Sequence, residues 1–337
     1  MTVIEVNALR KVYQQKRKSP GLVSSLRTLW RPDYTRLTAV DGISFGIERG
    51  EAVGFVGPNG AGKSTTIKML TGILFPTSGD AMVLGLVPWR QRQSLAFRIA
   101  SVFGQRSQLW YHLPPADSFS LLARIYELDS RVYRERLDGL VKRFDVQPYL
   151  HVPVRRLSLG ERMRCEIVAA LLHQPEVVFL DEPTIGLDVV AKQRIRAMIR
   201  DLNQEEGVTF LLTSHDAGDI EQVCRRVIVI NHGALVFDDS VSELKRGFLR
   251  HKVIDLKLAD AWVIPVMPGV TVVESEPYRA RLEVNTDVQP IEQLIANLVS
   301  TCRVADLTIE EPPLEEVIAS IYAATGRAAS GGSNDGT

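Results

Sequence analysis

A glycine-rich loop between an apolar run and a helical pattern constrains the fold of this 337-residue chain more than any other feature. The apolar run, residues 51–56, is short and partly β-branched, which is typical of a buried strand. It leads directly into residues 57–65, Gly-Pro-Asn-Gly-Ala-Gly-Lys-Ser-Thr, which match the phosphate-binding pattern G-x-x-x-x-G-K-S. Residues 66–70 then have the composition of an amphipathic helix. This order predicts backbone N–H groups that converge on phosphates at a helix N-terminus.

The residue types of the loop predict how it holds a nucleotide. Glycine is needed where the backbone must come close to a phosphate. The Lys63 ammonium is expected to neutralise the β- and γ-phosphates, and the Ser64 hydroxyl to bind Mg²⁺. The expected nucleotide contacts are Gly57, Pro58, Asn59, Gly60, Ala61, Gly62, Lys63, Ser64 and Thr65. The alternative is a glycine turn with an exposed lysine.

Strand-like runs and helical patterns alternate along most of the chain. Further strand-like runs lie at residues 99–103, 177–180, 208–212 and 227–230. Helical patterns such as 189–202 separate several of them, which predicts an α/β domain with a largely parallel sheet. Between about 113 and 160 apolar residues recur at helical spacing. This stretch predicts a helical subdomain inserted into the sheet domain.

The pattern changes near residue 250. Short strand-like runs at 253–258, 270–273 and 281–284 are accompanied by helical patterns at 291–298 and 314–321. These patterns predict a small α+β domain. We expect the first domain to span residues 1–247 and the second 248–326. Residues 328–337 are mainly Gly, Ser and Ala, with one Asn and one acidic residue, which predicts that 327–337 is a disordered tail.

Charge and cysteine content exclude several kinds of protein. Lys plus Arg and Asp plus Glu both number 40, so no net positive charge draws the chain to nucleic acid. Cys165, Cys224 and Cys302 are too scattered for a metal site or a disulfide framework. No run approaches the roughly 18 apolar residues of a membrane span, and a signal-peptide core is missing. We therefore expect a protein of the cytosol without a nucleic-acid partner.

One segment, at about 16–37, departs from the overall charge balance. Residues 16–36 contain six basic residues and one acidic residue, interleaved with leucines, Trp30 and Tyr34. Such a basic insertion fits a position near lipid head groups or near an acidic partner surface. It also fits a solvated surface insertion, and both interpretations stay open.

Two carboxylates follow the apolar run at 177–180. Asp181 and Glu182 would lie at the carboxyl end of a parallel strand, where ligands bind in open α/β sheets. Asp181 can reach the Mg²⁺ shell, and Glu182 can polarise the water that attacks a γ-phosphate. The alternative is a charged turn, but the nearby phosphate loop favours the functional interpretation.

The segment Ser158-Leu-Gly-Glu161 permits two interpretations. Ser-x-x-Glu is a capping box, in which Ser158 accepts from the third helical amide and Glu161 reaches back to the cap. A cap does not require Gly160, which would let a phosphate approach the helix N-terminus closely. The local sequence leaves both interpretations open.

Five motifs follow one another in the order found in ATP-binding cassette (ABC) transporter ATPases, and residues 1–245 resemble that family. They are the phosphate loop, Gln105 after a strand, the Leu-Ser-x-Gly signature at 157–160, the Asp181-Glu182 pair, and His215 after residues 210–214. The resemblance implies a P-loop NTPase cassette with a RecA-like parallel sheet and a helical subdomain, followed by the small α+β domain. It also implies ATP as substrate, Mg²⁺ as cofactor and hydrolysis to ADP and phosphate.

The resemblance implies roles for residues of the nucleotide's own subunit. Gln105 resembles the residue that links the γ-phosphate to the membrane subunit, and it joins Ser64 and Asp181 as an expected Mg²⁺ ligand. His215 resembles the switch histidine that contacts the γ-phosphate, and with Glu182, Gln105 and Lys63 it completes the expected catalytic set. Tyr13 resembles the aromatic residue that stacks on adenine, although a packed surface aromatic is an equal alternative.

Other implied roles involve a second subunit. Ser158 and Gly160 would bind the nucleotide held by the partner's phosphate loop, and Asp188 would join the two sites. Asp188 could also be a plain N-cap of the helix from 189. Glu161 replaces the glutamine most often found after the signature glycine, which adds negative charge near a phosphate.

Three phrases, at 102–110, 181–188 and 310–317, resemble the ATPase subunits of ABC-2-type exporters, including the viologen or multidrug subgroup. This implies a head-to-tail dimer that closes on two ATP molecules, with a homodimer favoured over a heterodimer. It also implies transmembrane subunits on separate chains and a location at the cytoplasmic face of the membrane. The alternatives are the ATPase subunit of an importer and an ABC ATPase without a transport role.

Overall fold

The computed structural model describes residues 1–16, 34–104, 107–214, 216–246, 251–260 and 267–310, together with 314, 317, 318, 321 and 322. Two compact units can be distinguished, Met1–Asp238 and Asp239–Thr337. The described strands are β1 Thr2–Lys16, β2 Tyr34–Glu48, β3 Ala52–Val56, β4 Ser78–Val83, β5 Ile99–Phe103, β6 Val177–Asp181, β7 Thr209–Thr213, β8 Arg226–Asn231, β9 Ala234–Ser240, β10 His251–Leu258, β11 Val270–Glu276, β12 Arg279–Asn285 and β13 Val304–Glu310. The described helices are α1 Lys63–Leu70, α2 Arg92–Ala96, α3 Pro115–Ile125, α4 Ser130–Arg143, α5 Leu159–Leu171, α6 Val189–Glu206, α7 Ala217–Val223, α8 Val241–Arg246 and α9 Ile291–Thr301.

The first unit is built around a six-stranded sheet of order β5-β6-β7-β3-β8-β9. Its strands β5, β6, β7, β3 and β8 pair in parallel. All five residues of β3 and of β7 are buried, because a parallel sheet is covered on both faces. Parallel strands end at one edge of the sheet, and this brings the loops after β3, β6 and β7 together.

A second, antiparallel sheet of order β2-β1-β4 contributes to the same core. β1 and β2 are long strands whose pairing contains several register shifts. Apolar residues of this sheet, such as Leu9 and Ile47, join Phe55 and Phe179 in one buried cluster. The antiparallel sheet thereby covers part of the parallel sheet and of α1.

The helical stretch from α3 to α5 is held together by helix ends. Asp129 caps the N-terminus of α4 by accepting from the amides of Arg131 (2.8 Å) and Val132 (3.3 Å). At the other end of α4 the Arg164 guanidinium, from α5, donates to the carbonyl oxygens of Phe144 (3.2 Å) and Asp145 (2.9 Å). A cation at a helix C-terminus satisfies free carbonyls and opposes the helix dipole. Arg164 therefore attaches α4 to α5, the helix that begins at the signature segment.

The second unit contains an antiparallel sheet of order β11-β12-β10-β13 with α9. Alternate residues of β12, Ala280, Leu282 and Val284, are buried, as expected for a sheet covered on one face. They form a core with residues of β10 and with Leu294 and Leu298 of α9. The unit is an α+β domain, as the sequence predicts.

The predicted strands of the parallel sheet, and the predicted strands and the 291–298 helix of the α+β domain, agree with the structure to within a few residues, which confirms the predicted fold class. The helix predicted at 314–321 lies partly outside the described residues. The sequence patterns do not predict strands β1, β2, β4, β9 and β13. Gln105, His215, most of the basic insertion and the 327–337 tail lie outside the described residues. Within the part of the chain that the structure describes, no helix combines the length and apolarity needed to cross a membrane.

Phe179 provides a test of the core. It lies fully buried in β6, whereas Phe75 is 61% exposed and serves as a matched control. Phe179→Ala is expected to lower the free energy of unfolding by about 3–5 kcal/mol, because it removes the ring and leaves a cavity. Phe75→Ala should change it by less than about 1 kcal/mol. Denaturant unfolding of both variants measures the difference, and equal effects would contradict this description of the core.

Candidate nucleotide-binding site

The loop after β3 approaches neighbouring backbone so closely that only glycine fits at two positions. A Cβ atom on Gly57 would lie 2.4 Å from the carbonyl oxygen of Ile230. Gly62, the N-cap of α1, has φ of 107°. A Cβ atom there would lie 2.3 Å from the carbonyl oxygen of Ala39. The loop is therefore held against β2 and β8, with the α1 N-terminus at its end.

The Lys63 side chain lies within this loop and is only 6% exposed. Its ammonium donates to the carbonyl oxygens of Gly57 (2.5 Å) and Pro58 (3.2 Å). Burial lowers the pKa of Lys63, while the negative charges of Glu182 and Asp181 act in the opposite direction. A glycine turn with an exposed lysine is therefore the wrong interpretation.

Asp181, the last residue of β6, accepts hydrogen bonds from two hydroxyl groups that belong to different elements. Its Oδ1 atom accepts from Ser64 Oγ of α1 (3.3 Å) and from Thr213 Oγ1 at the end of β7 (2.6 Å). A carboxylate beside a serine hydroxyl provides the hard oxygen donors that Mg²⁺ prefers, with remaining positions for phosphate and water. The residues present therefore fit the cofactor that the sequence predicts.

Glu182 follows Asp181 in an unusual backbone conformation, with φ of 56°. Such left-handed geometry is uncommon for a residue with a side chain and is kept only where neighbours hold it. The Glu182 amide donates to both the hydroxyl and the carbonyl oxygen of Thr213, each at 3.1 Å. The Gly104 amide donates to the Asp181 carbonyl oxygen at 2.9 Å. The Glu182 backbone is thus held by the ends of β5 and β7.

A cavity of about 300 Å³ lies where these elements meet. Its lining includes Ser64, Lys68, Phe103, Gly104, Asp181 and Glu182. Sequence reasoning missed Thr213, although its hydroxyl bonds both Asp181 and Glu182. A small polar residue at the end of an apolar strand beside β6 was the available signal.

The signature segment lies at the start of α5. Ser158 Oγ accepts from the Glu161 amide at 3.3 Å, and Glu161 Oε2 accepts from the Ser158 amide at 2.8 Å. The capping-box interpretation is therefore confirmed. The Glu161 carboxylate is hydrogen-bonded to the Ser158 backbone amide. Ser158 itself remains exposed. Its possible contact with phosphate stays a prediction.

A second, open groove runs beside this segment. It is lined by residues that include Ser158, Gly160, Glu161, Gly186, Asp188 and Arg194. Asp188 caps α6 by accepting from the Ala191 amide at 2.8 Å. A Cβ atom on Gly160 would lie 3.1 Å from the Ala191 Cβ, so the two helix starts pack closely. The signature residues line a groove other than the cavity lined by Ser64, Asp181 and Glu182.

Tyr13 lies on β1 and is half-buried. The Lys11 ammonium lies 5.4 Å from the centre of its ring, within the range of a cation–π contact. The proposed stacking of Tyr13 on adenine remains a prediction.

Fold and site together define a P-loop nucleotide-binding protein: a phosphate loop between a parallel strand and a helix, with paired carboxylates at the end of a neighbouring strand. The family model for ABC transporters matches residues 40–185. The daunorubicin resistance ATP-binding protein DrrA3 of Streptomyces coeruleorubidus is 32% identical over 84% of this chain and 91% of its own length. The Nod factor export ATP-binding protein I of Ralstonia nicotianae is 33% identical over 64% of this chain and 66% of its own length. This chain belongs to the family of ABC transporter ATP-binding proteins, and its enzymatic activity is ATP hydrolysis.

A solved structure shows the same fold. The ATP-binding cassette MJ0796, in a dimeric post-hydrolysis state with ADP and Pi, has a TM-score of 0.59 and 22% identity. The match covers 71% of this chain and 98% of that one. The cassette fold predicted from the sequence is thereby confirmed.

Gly104 tests how the Glu182 backbone is held. A Cβ atom on Gly104 would lie 2.3 Å from the Glu182 carbonyl oxygen, whereas one on Gly139 would meet no atom within 4 Å. Gly104→Ala is expected to displace Glu182 and to lower the ATPase kcat at least about tenfold, equivalent to about 1.4 kcal/mol. Gly139→Ala is the control and should retain the rate. Steady-state phosphate release measures both, and an unchanged rate for Gly104→Ala would contradict the proposed close contact.

Proposed function

We propose that this chain powers export by hydrolysing ATP at two composite sites of a dimer attached to separate membrane subunits. The observation that carries the proposal is the arrangement around Asp181. Its carboxylate contacts Ser64 of the phosphate-loop helix, and the same Thr213 hydroxyl that bonds it also holds Glu182. The groups that would bind the phosphates, hold Mg²⁺ and activate the water thereby lie at one edge of the parallel sheet.

Within one subunit, each side chain has a chemical task. The loop 57–65 and Lys63 would bind the phosphates, while Ser64 and Asp181 would hold Mg²⁺, which supplies charge neutralisation at the phosphate oxygens. Glu182 would accept a proton from the attacking water as general base. Gln105 and His215, whose roles rest on the motif order, would complete the γ-phosphate environment.

The separation of the signature groove from the Lys63 loop favours a dimer. The groove is lined by residues that include Ser158, Gly160 and Asp188. The described residues that line it include none of the phosphate loop at 57–65. In a head-to-tail dimer each such groove would face the partner's loop and complete its site. The related MJ0796 cassette is described as dimeric, which supports this assembly. Opening after hydrolysis would then follow from the loss of γ-phosphate contacts.

The relatives favour export as the direction of transport. The names of the relatives from Streptomyces and Ralstonia refer to drug resistance and to Nod factor export. We infer ABC-2-type transmembrane subunits on separate chains and a location at the cytoplasmic face of the membrane. Two copies of this ATP-binding chain would form a homodimer. Import is the alternative direction.

Glu182→Gln tests the proposed chemistry. The substitution keeps the size of the side chain and removes the base, so kcat is expected to fall about 10²–10⁴-fold. ATP should still bind, because Lys63 and its loop are unchanged, and the ATP-bound dimer should accumulate. Phosphate release and light scattering measure the two effects. The exposed Glu135→Gln is the control, and an unchanged rate for Glu182→Gln would remove Glu182 from the mechanism.

Purification of the tagged full chain from solubilised membranes of its source tests the proposed partners. The Glu182→Gln variant with ATP is used, because a closed dimer should retain its membrane subunits longest. Mass spectrometry is expected to find transmembrane subunits of the ABC-2 type. Recovery of an extracellular substrate-binding protein would instead support import.

A further inference from the structure

Asp219 is a buried carboxylate that the proposed reaction does not use. It lies on α7, the helix that follows β7, and is only 1% exposed. A carboxylate is rarely buried this completely unless hydrogen bonds and an opposite charge compensate the loss of water. Its partners therefore indicate what it does.

The Asp219 carboxylate joins three separate segments. Its Oδ2 atom accepts hydrogen bonds from the hydroxyls of Thr184 and Ser214. Its Oδ1 atom accepts from Arg196 Nε of α6 at 2.6 Å. One oxygen thus connects the loop after β6 to the end of β7, and the other connects both to α6.

Each connected segment belongs to the proposed site. Thr184 lies two residues after Glu182 and precedes the turn at Gly186, whose φ is 72°. Asp188, at the end of that turn, caps α6. Ser214 directly precedes position 215 in the sequence. The segment 184–188 is therefore tied to α6 at both ends, by the Asp188 cap and through Asp219 and Arg196.

A second carboxylate extends the network and balances its charge. Asp216 Oδ2 accepts from Lys192 Nζ at 2.6 Å and lies 3.2 Å from Arg196 Nη2. Two carboxylates and two cations thus lie together at the start of α7. Asp219 and Arg196 are the buried members of this set, and removing either one leaves the charge of the other uncompensated.

We propose that Asp219 is a positioning residue for ATP hydrolysis, which holds the loop after Glu182 and the residue before position 215 in one geometry. This inference rests on the proposed function and deepens it. It names the residue that keeps Glu182, the proposed base, and the dimer-facing segment 184–188 in a fixed position relative to each other. Asp219 acts through Thr184 and Ser214 and does not contact the nucleotide itself.

Asp219→Asn in the full chain tests this inference. The amide keeps the size of the side chain but cannot accept from both hydroxyls and pair with Arg196 at full charge. We expect kcat to fall about 10- to 100-fold, because small displacements of catalytic groups have effects of this size. The KM for ATP should stay within about threefold, because the Lys63 loop is untouched. Asp238→Asn is the matched control, since Asp238 also binds an arginine through two bonds, at 2.7 and 2.9 Å, outside this network.

A double-mutant cycle distinguishes positioning from simple destabilisation. Thr184→Val alone should lower kcat about 3- to 10-fold, but within Asp219→Asn it should add less than about twofold. Should Asp219→Asn fail to fold, Thr184→Val and Ser214→Ala remove the same bonds singly and must show the loss of kcat by themselves. A kcat within about twofold of the unmodified chain, or an equal loss in Asp238→Asn, overturns the inference. Failure of the proposed function looks different, because the unmodified chain would then be inactive or Glu182→Gln fully active.

Discussion

The hydroxyl bonds that converge on Asp181 connect the chain segments on which the proposed chemistry depends. Ser64 belongs to the phosphate-loop helix and Thr213 to the end of β7, yet both donate to the same carboxylate oxygen. The parallel sheet makes this possible, because β3, β6 and β7 are neighbours and end at one edge. The Thr213 hydroxyl also accepts from the Glu182 amide, so the position of the proposed base depends on the same contact.

Further contacts connect the Asp181 and Glu182 region to helices α6 and α7. Asp219 and Arg196 connect the loop after β6 to both helices, and the Asp188 cap fixes the other end of that loop. The signature segment packs on the start of α6 through Gly160. These contacts connect the loop after Glu182 to the groove that would face a partner subunit.

The parts that could be predicted from the sequence are those encoded by consecutive residues. The phosphate loop, the apolar parallel strands and the capping box each depend on a short stretch, and their types follow from local pattern. Strands β1 and β2 are not predicted from the sequence. Their pairing contains several register shifts, which interrupt the alternation of apolar and polar residues by which an antiparallel strand is recognised. Thr213 is marked only by its place at the end of an apolar strand, and Asp219 by no local pattern, because the importance of both comes from contacts across 32 and 35 residues. A buried aspartate in a short helix gives no sign in the sequence of which loops it connects.

In the proposed dimer, a phosphate loop and a signature segment from different subunits enclose one ATP. Disulfide formation between Asn59→Cys in one chain and Leu159→Cys in another tests it directly, because both positions belong to the surfaces that would meet. With Glu182→Gln present in both chains, we expect a covalent dimer on a non-reducing gel when ATP is added, and little without it. A yield independent of ATP, or no cross-link at saturating ATP, would contradict this head-to-tail arrangement.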